Sequence, residues 1–244
     1  MRLRVGVRTR AAGIPWREVL RPGRGIVYDV LAQTAPELGT RLHEQGWGRY
    51  RMAPFGHSAP RFPGARGRRG EYPAGGDGVV EFASPLPEVV HALAAGLSER
   101  AVLDWGGVAL QVQRVVPVFA PLFSEGTAQL RAVTPVIVKG PPGRDVDGTR
   151  QRSQRWLLPG EPEWEVYFVR NLRRKAETLG LDPEVELDAV TRVGPKCSFA
   201  VGAGAKIGAE VDVRLTGAPS TLQALWAWGT GAATSAGFGA VACD

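Results

Sequence analysis

Residues Trp228-Gly229-Thr230-Gly231-Ala232-Ala233-Thr234-Ser235-Ala236-Gly237-Phe238-Gly239-Ala240-Val241 lie close to the C-terminus and set glycines among small and polar residues. A helix leads into them. Pro219 suits the first turn of a helix, and Leu222, Leu225 and Trp226 follow at helical spacing. Gly229 and Gly231 can end that helix, because glycine takes φ > 0 without steric cost and leaves no Cβ to obstruct a backbone. Consecutive exposed N–H groups in such a loop suit anionic oxygens. Gly229, Gly231, Ser235, Gly237 and Gly239 are therefore candidate phosphate contacts. Gly237 and Gly239 also have a simpler reading, as positions that let a last strand over 238–242 pack closely. That explains part of the pattern and not the whole of it.

Upstream, 185–215 reads as two or three strands with a turn near 202–204, and 163–179 as one long helix. Residues 128–139 read as strand, with Val136, Ile137 and Val138 as a buried run. Between them 140–154 is rich in Gly, Pro and charge, the composition of a flexible loop. The first half runs in a similar order. Leu3, Val5 and Val7 share one face of a strand over 2–8. A helical pattern covers 26–44, with Pro36 opening a second helix that Gly46 and Gly48 stop. A short strand over 52–58, a mobile Arg-, Gly- and Pro-rich loop over 60–77, and a strand over 79–83 follow. Pro85 opens a helix, and 101–116 is strand again, a hairpin turning at Gly106-Gly107. Both halves approach the order β-α-β-β-α-β, which folds as a ferredoxin-like unit. The expected architecture is α+β: two tandem ferredoxin-like domains, 1–120 and 121–244.

The net charge of +6 and pI near 9.8 suit a polyanionic partner. Free use of Arg by a GC-rich genome would give the same balance, so charge alone decides little. No apolar run reaches the roughly 18 residues of a membrane helix. The first residues alternate like a strand and lack a signal peptide's apolar stretch, so the expected location is cytoplasmic. Cys197 and Cys243 lie far apart, and His43, His57 and His91 lack metal-ligand spacing, so no metal or cofactor is expected. Asp145 and Asp147 before Gly148 read as a solvated turn, because the other positions of a calcium loop are missing.

Pairs of glycines, a polar spacer, then Gly237-Phe238-Gly239 and a final apolar strand resemble the signature of the CRISPR repeat-processing endoribonucleases, in the repeat-associated mysterious protein superfamily. A second patch is similar to that family's N-terminal block: Tyr28, Pro36-Glu37-Leu38, Leu42-His43-Glu44, Pro54-Phe55 and Ser58. The resemblance implies a catalytic histidine at His43 and an active-site tyrosine at Tyr28. Arg49 falls where some members carry a catalytic lysine, a departure from the pattern. It implies a cut within the repeats of CRISPR precursor RNA, made by the ribose 2′-hydroxyl without a metal and leaving a 2′,3′-cyclic phosphate and a 5′-hydroxyl.

Such a cut needs a base, an acid and positive charge for the phosphorane. Imidazole titrates near neutral pH, so His43 is the candidate base or acid. Arg49 can hold charge but cannot shuttle a proton, and Tyr28 can donate a hydrogen bond. Each has a plainer reading: His43 as a helix-end surface residue, Tyr28 as core. His57 is the second choice for catalysis, and His91 reads as structural. Arg170, Arg173, Arg174 and Lys175 fall largely on one helix face, either a solvated face or a track for the phosphates of a repeat hairpin. Arg61, Arg66, Arg68 and Arg69 in one loop, and Arg144, Arg150, Arg152 and Arg155 around the other, could order on RNA. The competing expectations are a non-catalytic RNA-binding subunit of a CRISPR interference complex and, more distantly, a protein-interaction module. Partner subunits of a surveillance complex fit either nuclease or binding subunit.

Overall fold

The computed structural model describes residues 1–67, 69–141, 155–201 and 204–243. Arg68, Arg144, Arg150, Arg152, Asp145, Asp147, Gly148 and the turn residues Gly202 and Ala203 lie outside the described residues.

In the first half come β1 (Arg2–Thr9), β2 (Gly13–Pro15), α1 (Arg21–Thr34), α2 (Pro36–Glu44) and β3 (Gly56–His57). Then follow β4 (Glu71–Pro73), β5 (Gly76–Ala83), α3 (Pro87–Ser98), β6 (Val102–Asp104) and β7 (Ala109–Val118). The second half has β8 (Thr127–Ala132), β9 (Val138–Lys139), β10 (Trp156–Leu157) and α4 (Trp164–Thr178). It ends with β11 (Glu186–Val201), β12 (Gly204–Thr216), α5 (Pro219–Trp228) and β13 (Val241–Cys243). Prolines stand in the first turn of α1, α2, α3 and α5, where a missing N–H leaves no hydrogen bond unmade.

The first sheet has the order β3-β5-β1-β7-β6, and the second β11-β12-β8-β13. In both, the first strand of its half lies centrally between two antiparallel neighbours. That is the strand order of a ferredoxin-like fold, so the tandem α+β architecture stands, with β6 added as a hairpin partner of β7. The alternation of β1 buries Leu3, Val5 and Val7. Val27, Val30 and Leu31 of α1 and Val89, Leu93 and Leu97 of α3 join them in one core. The second core gathers Leu130, Phe168, Leu172, Val211, Val213 and Leu225.

Three segments differ from the sequence expectations. The run 128–139 is broken after Ala132, because 133–137 binds the glycine loop and keeps only a single bridge to β12, from Val136 to Ala209. Val133 N–H donates to Ala240, and the Pro135 and Ile137 carbonyls accept from Gly239 and Ala232. The last strand begins at Val241 rather than 238, since Gly237 and Gly239 take φ of 87° and 64° and hold that stretch in turns. Part of the 60–77 loop is ordered, with β4 paired to β2 and Arg61 bridged to Val79.

Candidate active site

α1 and α2 lie together and carry Tyr28 and His43. His43, in the last turn of α2, is exposed, and Tyr28 is half-buried. Their rings meet edge to face, with centroids 5.0 Å apart, and Phe55 backs the tyrosine at 5.3 Å. Burial raises the Tyr28 pKa, opposed in smaller measure by the nearby Arg24 charge. The phenol therefore keeps its proton at neutral pH and can donate a hydrogen bond. The Arg24 guanidinium stands 5.5 Å from the Tyr28 ring. The sequence reading missed Arg24, although its spacing of four from Tyr28 is a helical signal. The helical pattern in the sequence begins at 26, whereas the helix itself begins at Arg21 and so includes Arg24.

Arg49 is engaged in another direction. Its guanidinium bonds Glu177 on α4 at 2.6 Å and the Tyr50 hydroxyl at 2.5 Å, and Tyr50 also donates to Glu177. The carboxylate that pins it across to α4 is 128 positions away in sequence, which no local pattern could reveal.

His57 is 2 % exposed. Its ring lies between Gly23 of α1 and Gly237 of the glycine loop, where a Cβ would come within 2.3 Å and 2.5 Å of ring atoms. Nδ1 lies 3.2 Å from the Ser58 carbonyl, and burial lowers its pKa to about 4. A neutral imidazole enclosed by backbone offers no access to RNA. His91, read as structural, is instead exposed on α3.

The glycine loop is more enclosed than an open row of amides. Gly229, Gly231, Gly237 and Gly239 are all buried. The N–H groups of Gly229, Gly237 and Gly239 donate to Leu225, Thr234 and Pro135. A Cβ on Gly239 would lie 1.8 Å from the Thr230 carbonyl oxygen. Close packing thus accounts for these glycines, and the amides of Gly229, Gly237 and Gly239 are already bonded within the protein. Ser235, in a single 3-10 turn, stays partly exposed and is the loop's remaining polar contact candidate.

The basic helix is also divided. Arg170 and Arg174 are exposed, and Arg173 bonds the Val185 carbonyl at 3.2 Å. Lys175 is buried and donates to the Gly229 carbonyl at 2.6 Å. It falls on the side of α4 that faces the core with Leu172 and Ala176, so it cannot lie along RNA as the sequence suggested. Among the described residues no group of three or more His, Cys, Asp or Glu is placed to hold a metal, and no helix is long and apolar enough to cross a membrane.

The sequence model of the family described as "CRISPR associated protein Cas6, C-terminal" matches residues 117–243, half of the chain. The chain belongs to the Cas6 family. Cas6 proteins are the CRISPR repeat RNA-processing endoribonucleases, and the resemblance drawn from the glycine loop stands. No curated protein matches. Solved structures similar to this Cas6 chain include "An RAMP protein binding different RNA substrates", with TM-score 0.83, 13% identity and coverage of 100% of this chain and 99% of the other. A "CRISPR associated protein Cas6" has TM-score 0.79, 19% identity and coverage of 100% and 99%. A Cas6-related protein from Pyrococcus furiosus has TM-score 0.81, 14% identity and coverage of 100% and 98%. At such identities these likenesses carry the fold alone.

Proposed function

We propose that this Cas6 chain cuts CRISPR repeat RNA by metal-independent transesterification, with His43 as the proton-transfer group and Tyr28 as its hydrogen-bonding companion. The observation that carries this reading is the ring contact between an exposed histidine and a half-buried tyrosine on adjoining helices. The 2′-hydroxyl gives up its proton to a base as its oxygen attacks the adjacent phosphorus. The bond from phosphorus to the 5′ oxygen breaks, and that oxygen takes a proton from an acid. The products are a 2′,3′-cyclic phosphate and a 5′-hydroxyl. His43 serves as base or acid in this sequence. Tyr28, protonated at neutral pH, donates to a phosphate oxygen.

Positive charge must face the phosphorane. Arg49 can supply it only after parting from Glu177, whereas Arg24 already stands against Tyr28. The enclosed position of His57 favours His43 as the histidine involved. Arg170 and Arg174 are suited to the phosphates of a repeat hairpin, and retention in a larger surveillance complex is compatible with the remaining exposed surface.

The test uses purified protein and a repeat transcript in EDTA. Cleavage should proceed, should stop when the cut nucleotide is 2′-deoxy, and should be slowed by His43→Ala far more than binding is weakened. A full-rate His43→Ala variant overturns the site. Tight binding with no cutting under any condition points instead to a non-catalytic RNA-binding subunit.

A further inference from the structure

Three cations from both halves of the chain lie near one another, and one of them, Arg24, stands against Tyr28. Arg24 stands one turn before Tyr28 on α1, its guanidinium 5.5 Å from the phenol ring. Lys139 of β9 is exposed, and Trp156 of β10 is its direct cross-strand partner. The Lys206 ammonium, from β12, sits 4.8 Å over the Trp156 ring. The glycine loop fixes this ribbon against the first domain. Ala232 N–H donates to the Ile137 carbonyl at 2.7 Å, and Ile137 itself is buried in the first core. Lys139 follows two residues later.

Trp156, under Lys206, packs against the first core, and Gly23 beside Arg24 meets the His57 ring that also touches Gly237 of the glycine loop, so the groups are drawn to one side of the domain junction. Burial first, and then the charges of Lys139 and Arg24, lower the Lys206 pKa. Among the described residues none of the three forms a salt bridge. Most other arginines of the two sheets are matched: Arg4 with Glu81, Arg8 with Asp77, Arg192 with Asp212, Arg214 with Asp188. Unmatched like charges held together repel, and a bound polyanion relieves that repulsion. The Trp156 ring supports the Lys206 stem and limits where its ammonium can point.

We propose that Arg24, Lys139 and Lys206 form one phosphodiester-binding site, with Arg24 on the phosphate being cut and the two lysines on the RNA backbone next to it. The inference rests on the ribonuclease reading and adds a clamp supplied by the second domain. It also transfers to Arg24 the phosphate-holding role that the sequence suggested for Arg49.

The experiment measures affinity for a repeat RNA with a 2′-deoxy cut nucleotide across a range of KCl concentrations, together with single-turnover and steady-state cleavage of the all-ribose RNA. Lys139→Ala and Lys206→Met should each reduce the slope of log Kd against log salt by about 0.7–0.9. They should raise KM and leave kcat within about twofold, as expected for uniform binding. Arg24→Gln should lower kcat roughly a hundredfold, as loss of a donor to a developing oxyanion does, and Arg24→Lys should restore part of it. Unchanged slopes in both lysine variants overturn the clamp, and an unchanged kcat in Arg24→Gln overturns the assignment of Arg24. An equal slope loss in Lys196→Ala, an exposed lysine of β11, also overturns it, because the effect would then be diffuse charge. A wild-type chain that binds with these slopes but never cuts supports the site and sinks the ribonuclease reading.

Discussion

The Lys175 ammonium of α4 donates a 2.6 Å hydrogen bond to the Gly229 carbonyl and lies 5.0 Å over the Trp228 ring. It joins the long helix of the second domain to the first glycine of the loop that packs on the first. Lys175→Ala removes a buried stem and leaves that carbonyl without its donor. It should destabilise the chain by about 2–4 kcal/mol, read as a lower midpoint in urea with an unchanged m-value.

The same lysine gives a pH signature. Burial holds its pKa well below the ordinary value of 10.5. Between the lowered folded value and 10.5 the unfolded chain binds a proton that the folded chain has released, so stability at this site rises with pH through that window. The stability difference between wild type and Lys175→Met should therefore shift in favour of wild type as pH is raised. A difference that stays flat across the alkaline range would show that Lys175 is not buried in solution.

His57 should make the fold acid-sensitive. Its pKa is lowered from 6.5 to about 4 by burial. The folded chain keeps the ring neutral while the unfolded chain protonates it. Stability is thus fully present above about pH 6.5 and is lost as pH falls toward 4, by about 3 kcal/mol in all. His57→Gln cannot titrate, and urea midpoints measured from pH 7 to 4 should fall less steeply for it than for wild type.

Gly237→Ala should be poorly tolerated. The residue has φ 87°, and its new methyl carbon would come within 2.5 Å of the His57 ring. Left-handed backbone strain and overpacking together amount to about 2–4 kcal/mol. Thermal unfolding should show a drop of several degrees, and Gly237→Ala combined with His57→Ala should recover part of it. No recovery would mean that backbone strain alone is responsible.

Tyr28→Phe tests whether the phenol takes part in the chemistry. The ring contacts with His43 and Phe55 survive the change, so folding should be unaffected. Loss of a hydrogen bond to a charged phosphate oxygen corresponds to roughly ten- to hundredfold in kcat, with Kd for the 2′-deoxy RNA nearly constant. Because burial raises the Tyr28 pKa, the wild-type pH–rate profile should show no loss from phenol ionisation below 10. Equal kcat for Tyr28→Phe would assign the tyrosine to the core alone.

Much of the fold was legible because its signals are local. Pro219 and Gly229 bracket α5, Pro36 opens α2, and the alternation of Leu3, Val5 and Val7 marks β1. Tyr28 and His43 are candidates through the block that resembles the family, and the structure sets their rings in contact. Arg24 lies in the first turn of α1, ahead of the apolar pattern that marks the helix in the sequence. For His57, Lys175 and the glycines of the loop, the sequence does not reveal their burial. Burial depends on what packs against a residue, and the covers of His57 and Lys175 come from distant segments, Gly237 and Gly229.

The glycine loop by itself determined the superfamily and, with the periodicities around it, the tandem ferredoxin-like architecture. Turn chemistry and side-chain period belong to short stretches, so sequence suffices for them. Only the tertiary structure decided what the loop does. Its amides and carbonyls are taken up by Pro135, Ile137 and Lys175, so it fastens the β9–β10 ribbon and α4 in place. Only the tertiary structure, too, set Lys139 and Lys206 within electrostatic reach of Arg24 while tying Arg49 to Glu177. Electrostatic effect depends on distance in space, and in this chain the cations that converge lie far apart in sequence.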